Sequence, residues 1–260
     1  MRLNEAQLAE YRQRGFLLFP SLLSAAEVEA LRAAMPPLVA SDGPEIRRDR
    51  PDAPPKIVYA VHATSTPFGL TSRLPRMLGT VEALLDEPAY VYQSRINLKL
   101  PFSGDSWSWH QDFTAWQRGD GMPKPQAVMA AVFLHDCTPA NGPLLVIPGS
   151  HTDLLDEILG READVQGYDT ERVPLEVLRG LADRGGVVDL CGPAGTVAFI
   201  HPTLLHGSAM NMTPWPRSIL YFNYNAVSNR PTASKRPWFM NNPEVAPLAP
   251  VAEDALLATA

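Results

Sequence analysis

The sequence lacks long hydrophobic runs. A membrane-spanning helix needs about 20 consecutive apolar residues, and no stretch of the chain reaches that length. The opening segment, MRLNEAQLAEYRQRGF, contains no long apolar stretch of the kind that a secretory signal peptide carries. We therefore expect a cytoplasmic protein that does not associate with a membrane.

Cysteine and clustered basic residues are also scarce. Only Cys137 and Cys191 occur, far apart, so the sequence favours neither a disulfide framework nor a thiolate zinc site. The net charge is −6 and no block of five basic residues occurs, which argues against a surface that binds nucleic acid. These absences favour a small molecule as the partner, and they leave the oligomeric state unknown.

The apolar content is sufficient for one domain. Of 260 residues, 45% are hydrophobic, which allows a core to be buried. We expect a single domain over 1–260, with a helical N-terminal support over about 1–88, a β-barrel core over about 89–227 and a C-terminal tail over 228–260.

Three helices are predicted before this core. The first places its apolar residues on one face, at Leu3, Leu8 and Tyr11. A second begins with the capping-box pair Ser24 and Glu27, and we expect Pro36 and Pro37 to end it, with a loop up to about Pro55. A third apolar stripe comprises Met77, Leu78, Val81, Leu84 and Leu85.

After Pro88 the pattern changes to one typical of β structure. Aromatic or β-branched runs bounded by Gly, Pro and Asn predict antiparallel strands over 90–100, 127–136, 142–150, 194–200 and 217–227. Residues 152–187 are acidic and weakly helical, which predicts an excursion from the core.

A metal site is suggested by the segment WSWHQDFTAW. His110 and Asp112 are two residues apart, so in an extended segment both side chains point to one face and bind one ion. A second histidine, His206, follows a later β run and precedes Gly207. Two histidines and one carboxylate leave open metal positions, as iron(II) oxygenases require.

Arg217 lies eleven residues after His206 and heads the last β run. A guanidinium is a planar fork suited to a carboxylate, and 2-oxoglutarate carries a distal carboxylate that needs such a partner. The order of His-X-Asp, His-Gly and Arg therefore predicts iron and 2-oxoglutarate together.

His201 is the alternative to His206 as the second histidine ligand. It lies sixteen residues before Arg217 and precedes proline rather than glycine, so we favour His206. The other histidines, His62, His135 and His151, are expected to be structural or surface groups.

The motifs together resemble the phytanoyl-CoA dioxygenase superfamily, in its branch of ectoine hydroxylases and bacterial L-proline 4-hydroxylases. The similarity covers residues 93–123, 141–151 and 206–227 and includes the N-terminal segment YRQRGFLLFPSLLSAAEVEAL, about half of the chain. It implies a mainly β fold, a cupin-like double-stranded β-helix or jelly roll, with flanking N-terminal helices.

The resemblance also implies residue roles. His110, Asp112 and His206 match the iron ligands. Arg217, Ser208, Asn97 and Trp107 match the residues that bind 2-oxoglutarate, and Gln93, Arg95 and Trp116 match positions that face the substrate.

Some positions have an alternative assignment or depart from the family pattern. Trp107, Trp109 and Trp116 are also compatible with a place in the core, and Arg95 or Lys99 with an outward charge on a strand. Trp107 stands where ectoine hydroxylases carry Phe, and His201 where both relatives carry Asp. Most of residues 152–190 and 228–260 has no match in the family pattern, so the identity of the substrate cannot be transferred from the relatives.

The implied activity is hydroxylation of an unactivated C–H bond of a small amino acid or derivative, similar to proline, pipecolate or ectoine. It would use Fe(II), 2-oxoglutarate and O2, with ascorbate as reductant in vitro. Asp112 favours hydroxylation over halogenation, because related halogenases carry a small residue there. The alternatives are hydroxylation, desaturation or cyclisation of a larger natural-product or acyl-carrier substrate, and, more remotely, a non-catalytic cupin-like metal-binding protein.

Overall fold

The strands form two antiparallel sheets. The computed structural model describes residues 3–103, 106–154 and 173–259. In that part of the chain, one sheet has the order β1-β9-β6-β11-β4-β3-β2 and the other the order β5-β10-β7-β8. The strands are β1 Phe16–Phe19, β2 Ile46–Arg47, β3 Ile57–Tyr59, β4 Ala89–Lys99, β5 Trp107–His110, β6 Ala127–Phe133, β7 Leu144–Val146, β8 Val188–Leu190, β9 Val197–Ile200, β10 His206–Ser208 and β11 Arg217–Ala226.

Most of the helices come from the N-terminal third of the chain and pack on one face of the larger sheet. They are α1 Glu5–Arg14, α2 Ala25–Ala33, α3 Met35–Val39, α4 Val61–Thr64, α5 Thr66–Thr71, α6 Pro75–Leu85, α7 Asp112–Asp120 and α8 Leu175–Gly185, with short 3-10 turns at Ser150–Thr152 and Leu257–Thr259. None of the helices in the described ranges has the length and apolar character needed to cross a bilayer.

The predicted capping box is confirmed. Ser24 Oγ accepts a hydrogen bond from the backbone N–H of Glu27, and the Glu27 carboxylate accepts one from the backbone N–H of Ser24. The helix it starts, α2, ends at Ala33, before the two prolines. The prediction that Pro36 and Pro37 end it is therefore wrong. They lie in the first turn of α3, where a missing N–H breaks no helical hydrogen bond.

Several short strands were absent from the prediction. β1, β2 and β3 lie within the region expected to be helical support or loop, and β5, β8 and β10 have at most four residues each. Such short segments show too few alternations for a period of two to be recognised. The strands also belong to two separate sheets, so the expected barrel is not closed in the described residues.

The two larger apolar clusters of the described residues hold the layers together. One lies between the helices and the outer face of the larger sheet and includes Leu31, Met77, Val81, Leu220 and Phe222. The other lies on the inner face and includes Tyr92, Trp116, Leu144, Ile219 and Tyr221. The inner face also carries polar side chains, and these define the site.

Candidate metal centre

Two histidines face each other across the smaller sheet. His110 ends β5, His206 begins β10, and the two are Cα partners in the antiparallel pairing. Their imidazole centroids lie 4.2 Å apart. Strand pairing thus brings together two side chains that are far apart in the sequence.

Asp112 joins them from the start of a helix. Gln111 keeps an extended backbone, with φ −114° and ψ 128°, and α7 begins at Asp112. The expected extended segment therefore holds for His110 and Gln111 and ends at Asp112, which is already helical. The turn into the helix still directs the carboxylate to the histidine, with His110 Nε2 3.4 Å from Asp112 Oδ1.

The candidate ligand atoms converge on one point. One atom each from His110, Asp112 and His206 can be chosen so that all lie within 4.8 Å of one another. His110 Nδ1 donates to the carbonyl of Ser108 at 2.6 Å, and His206 Nδ1 donates to the carbonyl of Leu204 at 2.9 Å. These bonds select the tautomer whose Nε2 lone pair is free for a metal. Two imidazoles and one carboxylate fit a divalent first-row metal.

The protonation states suit metal binding. Burial would raise the pKa of Asp112, but the positive charge of Arg95 and the neighbouring His110 ring outweigh it and hold that pKa well below its usual range. Burial, together with His110, lowers the pKa of His206 to about 4. Near neutral pH the site therefore presents a carboxylate and a neutral imidazole at these two positions.

Arg95 orients the carboxylate. Its Nη2 donates to Asp112 Oδ2 at 3.0 Å, and its Nη1 donates to Gln93 Oε1 at 2.7 Å. The guanidinium carbon lies 4.8 Å from the centroid of the Tyr221 ring. Because Arg95 binds Oδ2, Asp112 Oδ1 is left to face His110.

A polar cavity adjoins the two histidines. Its lining includes Asn97, Trp107, Ser208 and Arg217 together with His110 and His206. Arg217 Nη2 donates to the carbonyl of Gly142, while its buried Nε has no partner among the described residues. Asn97 Oδ1 is also buried, and none of the described residues gives it a hydrogen bond. Such atoms fit a cavity that is completed by a polar ligand.

Lys99, the Cα partner of Arg217 across β4 and β11, is a buried cation beside the cavity. Its Nζ donates to Ser208 Oγ at 2.8 Å and to the carbonyl of Ala209. Burial and repulsion by Arg217 lower the pKa of Lys99 to about 7. Lys99 was not predicted as a site residue. Its position two residues after Asn97 on the same strand places it on the same face, and this spacing is the signal in the sequence.

Gly142 allows these groups to approach closely. Its φ is +73°, and a Cβ at this position would lie 2.4 Å from the carbonyl oxygen of Ala209 and 3.0 Å from Lys99 Nζ. Any side chain would therefore displace the backbone that accepts the hydrogen bond from Arg217.

The predicted substrate-facing residues are Gln93 and Arg95, in the middle of β4, and Trp116 on α7. Gln93 is 1% exposed, and its Nε2 donates to the carbonyl of Met240 at 2.9 Å. Trp116 is also 1% exposed and packs edge-on against Tyr92, with ring centroids 5.3 Å apart. Gln93 thus lies next to Arg95, and Trp116 belongs to the inner apolar cluster. The substrate roles of both residues stay predictions.

His201 lies outside the ligand cluster. Its Nδ1 lies 2.7 Å from Thr203 Oγ1, and its ring packs against His151 at a centroid distance of 5.2 Å. Burial lowers the pKa of His201 to about 3. Its hydrogen bond and its ring contact are those of a structural histidine.

The fold and the site define a class: jelly-roll proteins with a metal centre of two histidines and one carboxylate. The comparison with family models gives the particular family. The chain belongs to the phytanoyl-CoA dioxygenase family, whose model matches residues 11–219.

Individual relatives agree with this assignment. L-proline trans-4-hydroxylase of Streptomyces griseoviridis is 35% identical over 255 residues, covering 95% of this chain and 95% of its own. Ectoine dioxygenase of Halomonas elongata is 36% identical over 253 residues, covering 92% of this chain and 76% of its own. EctD from S. alaskensis, crystallised with 2-oxoglutarate and 5-hydroxyectoine, superposes with a TM-score of 0.85 at 33% identity, covering 96% of this chain and 88% of its own. The expected double-stranded β-helix fold is confirmed.

Proposed function

We propose that the protein is a hydroxylase that depends on Fe(II) and 2-oxoglutarate and acts on a small amino acid or amino-acid derivative with O2. The observation that carries the proposal is one continuous polar site. A two-histidine, one-carboxylate centre adjoins a cavity lined by Arg217, Asn97 and Ser208. Lys99 lies on the same strand as Asn97, pairs with Arg217 across the sheet and contacts Ser208.

His110, Asp112 and His206 would hold the iron. Three protein ligands leave coordination positions for a bidentate cosubstrate and for dioxygen. When bound, Fe(II) would allow O2 to oxidise the substrate and 2-oxoglutarate together: one oxygen atom would enter the C–OH product and the other succinate, with release of CO2. The protein supplies position and excludes water.

Arg217 and Lys99 would bind the distal carboxylate of 2-oxoglutarate, with Ser208 donating its hydroxyl. Arg217 Nε is buried without a partner in the described residues, and Lys99 already contacts Ser208 at 2.8 Å. Cations paired with a carboxylate in a buried site form strong, directional hydrogen bonds. Asn97 and Trp107, which line the same cavity, would complete the contacts to the cosubstrate.

The substrate would lie beyond Arg95, toward Gln93 and Trp116. An amide and a guanidinium suit the carboxylate and amine of an amino acid, and the tryptophan offers an apolar surface to its ring. The names of the relatives support this class: one acts on L-proline and the other on ectoine.

The test is a product assay with the purified protein. Fe(II), ascorbate and 2-oxoglutarate are supplied with L-proline, L-pipecolate, ectoine and other free amino acids, and succinate and oxidised products are measured by mass spectrometry. The proposal predicts succinate in equal amount to a product that has gained one oxygen. Oxidation of only larger natural-product substrates would contradict the proposed substrate class, and a protein that forms no succinate with any of them would contradict the enzyme assignment.

A further inference from the structure

Asn223 is buried on the same inner face as the site. It pairs with Gln93 across β11 and β4, two residues beyond Tyr221, whose own partner is Arg95. Because side chains alternate along a strand, Asn223, Tyr221 and Arg217 share one face, and the last two line the cavity. Asn223 is 0% exposed.

A chain of hydrogen bonds links Asn223 to the metal centre. Asn223 Nδ2 donates to Gln93 Oε1 at 3.2 Å, and Arg95 Nη1 donates to the same oxygen at 2.7 Å. Arg95 in turn binds Asp112 at 3.0 Å. Asn223 thus lies three hydrogen bonds from the metal-ligand carboxylate.

This chain also fixes the orientation of the Asn223 amide. Gln93 must present its Oε1 to Arg95, because a guanidinium only donates hydrogen bonds. The Nε2 of Gln93 donates to the carbonyl of Met240. Asn223 must therefore present Nδ2 to Gln93, which directs Oδ1 elsewhere. Asn223 Oδ1 is buried and has no hydrogen-bond partner in the described part of the chain.

We infer that Asn223 positions the substrate, with its Oδ1 accepting a hydrogen bond from the substrate's amine nitrogen. A buried acceptor without a donor is costly, and a charged N–H donor is the partner that relieves that cost most. Gln93 Oε1 already accepts two hydrogen bonds, so Asn223 offers the free acceptor of this amide pair. The inference rests on the proposed function, because it needs a substrate that carries an N–H group.

Binding can be measured without turnover. Calorimetry under anaerobic conditions, with Fe(II) and 2-oxoglutarate present, compares L-proline with tetrahydrofuran-2-carboxylate, whose ring has oxygen in place of N–H. The first variant is Asn223→Leu, which is similar in size to asparagine. The second is Asn223→Ala, which leaves room for water and replaces the first variant if the leucine prevents folding. The wild type should prefer proline, and each variant should weaken proline binding by about 10- to 100-fold while changing binding of the oxygen analogue much less.

Asn225→Leu is the matched control. Asn225 is the next asparagine on β11 and is equally buried, but its Nδ2 donates to Tyr90 Oη and to the carbonyl of Asn229, and its Oδ1 accepts from Asn229 Nδ2. Its replacement should lower stability without removing the preference for proline over the oxygen analogue.

Equal weakening of both ligands in the Asn223 variants, or no weakening, would overturn the inference, as would a wild type that does not bind proline. The succinate assay on the wild type reports separately on the proposed function. A wild type that binds proline through Asn223 yet oxidises no amino acid would overturn the function alone.

Discussion

Lys99 and Arg217 are Cα partners in neighbouring strands, and both cationic side chains are buried on the inner face. Their hydrogen-bond partners are neutral: Ser208 Oγ and the carbonyl of Ala209 for the lysine, and the carbonyl of Gly142 for the arginine. Two adjacent buried cations repel each other, and an anionic ligand offsets that repulsion. The pair is therefore best explained as an anion site.

Removal of either cation should weaken 2-oxoglutarate binding selectively. We expect Arg217→Met and Lys99→Met to raise the KM for 2-oxoglutarate by about 10- to 100-fold, because each loses a charged hydrogen bond to the carboxylate. The KM for the substrate that is hydroxylated should change much less. Initial-rate kinetics with each substrate varied in turn measures both, and an unchanged requirement for 2-oxoglutarate would refute the assignment.

The same lysine predicts a pH dependence. Its pKa in the folded protein is about 7, below the value of about 10.4 for an exposed lysine. A protonated Lys99 attracts the cosubstrate, so the KM for 2-oxoglutarate should be lowest below about pH 7 and rise above it. The folded state binds this proton less tightly than the unfolded state, so the contribution of Lys99 to stability increases from about pH 7 to about pH 10. The test is the KM for 2-oxoglutarate measured as a function of pH for the wild type and for Lys99→Met. In the variant, this KM should not rise above about pH 7.

Arg95 should act on the metal through Asp112. Arg95→Met removes the donor to Asp112 Oδ2, and loss of such an outer partner typically lowers metal affinity by about 10- to 100-fold. Equilibrium dialysis with Fe(II) under anaerobic conditions gives the affinity directly. An unchanged iron affinity with a raised KM for the hydroxylated substrate would instead make Arg95 a substrate-binding group only.

A buried ionic group should fix the C-terminal segment against α7. Arg236 Nε donates to Asp120 Oδ2 at 2.8 Å, and Asp120 also accepts from the hydroxyl of Tyr92. Removing one partner leaves a buried charge uncompensated, so Arg236→Met should lower the free energy of unfolding by about 3 to 5 kcal/mol.

Urea denaturation measures that loss. Arg50→Met is the matched control, because its pair with Asp52 spans 3.9 Å and both side chains are more than three-quarters exposed. The control should have no measurable effect. A loss no larger than that of the control would show that the Arg236 pair does not stabilise the fold.

Much of this site was predictable because its signals are local. The aromatic and β-branched runs predicted β4, β6 and β11. The His-X-Asp spacing predicted two residues that the structure brings together. The third, His206, was separable from His201 only by its neighbours in the sequence, since strand pairing between β5 and β10 is a long-range property. The structure places His201 beside Thr203 and His151 instead.

The polar inner face was the harder part. Arg95 and Lys99 alternate with Ile96 and Leu98, and the default assignment for such a pattern is charge toward solvent. Here both faces of β4 are covered: the apolar side by helices and the charged side by the smaller sheet. A sequence pattern of period two shows which side chains share a face of the strand, but it does not show whether solvent or another sheet covers that face. Residues 155–172, part of the predicted acidic excursion, lie outside the described residues.

The measurement that tests the central claim most directly is iron binding by the wild type, His206→Ala and His201→Ala, with 2-oxoglutarate present and oxygen excluded. We predict one Fe(II) per chain for the wild type and for His201→Ala, and loss of binding for His206→Ala, because only His206 lies with His110 and Asp112. Loss of iron in His201→Ala with retention in His206→Ala would contradict the proposed metal centre.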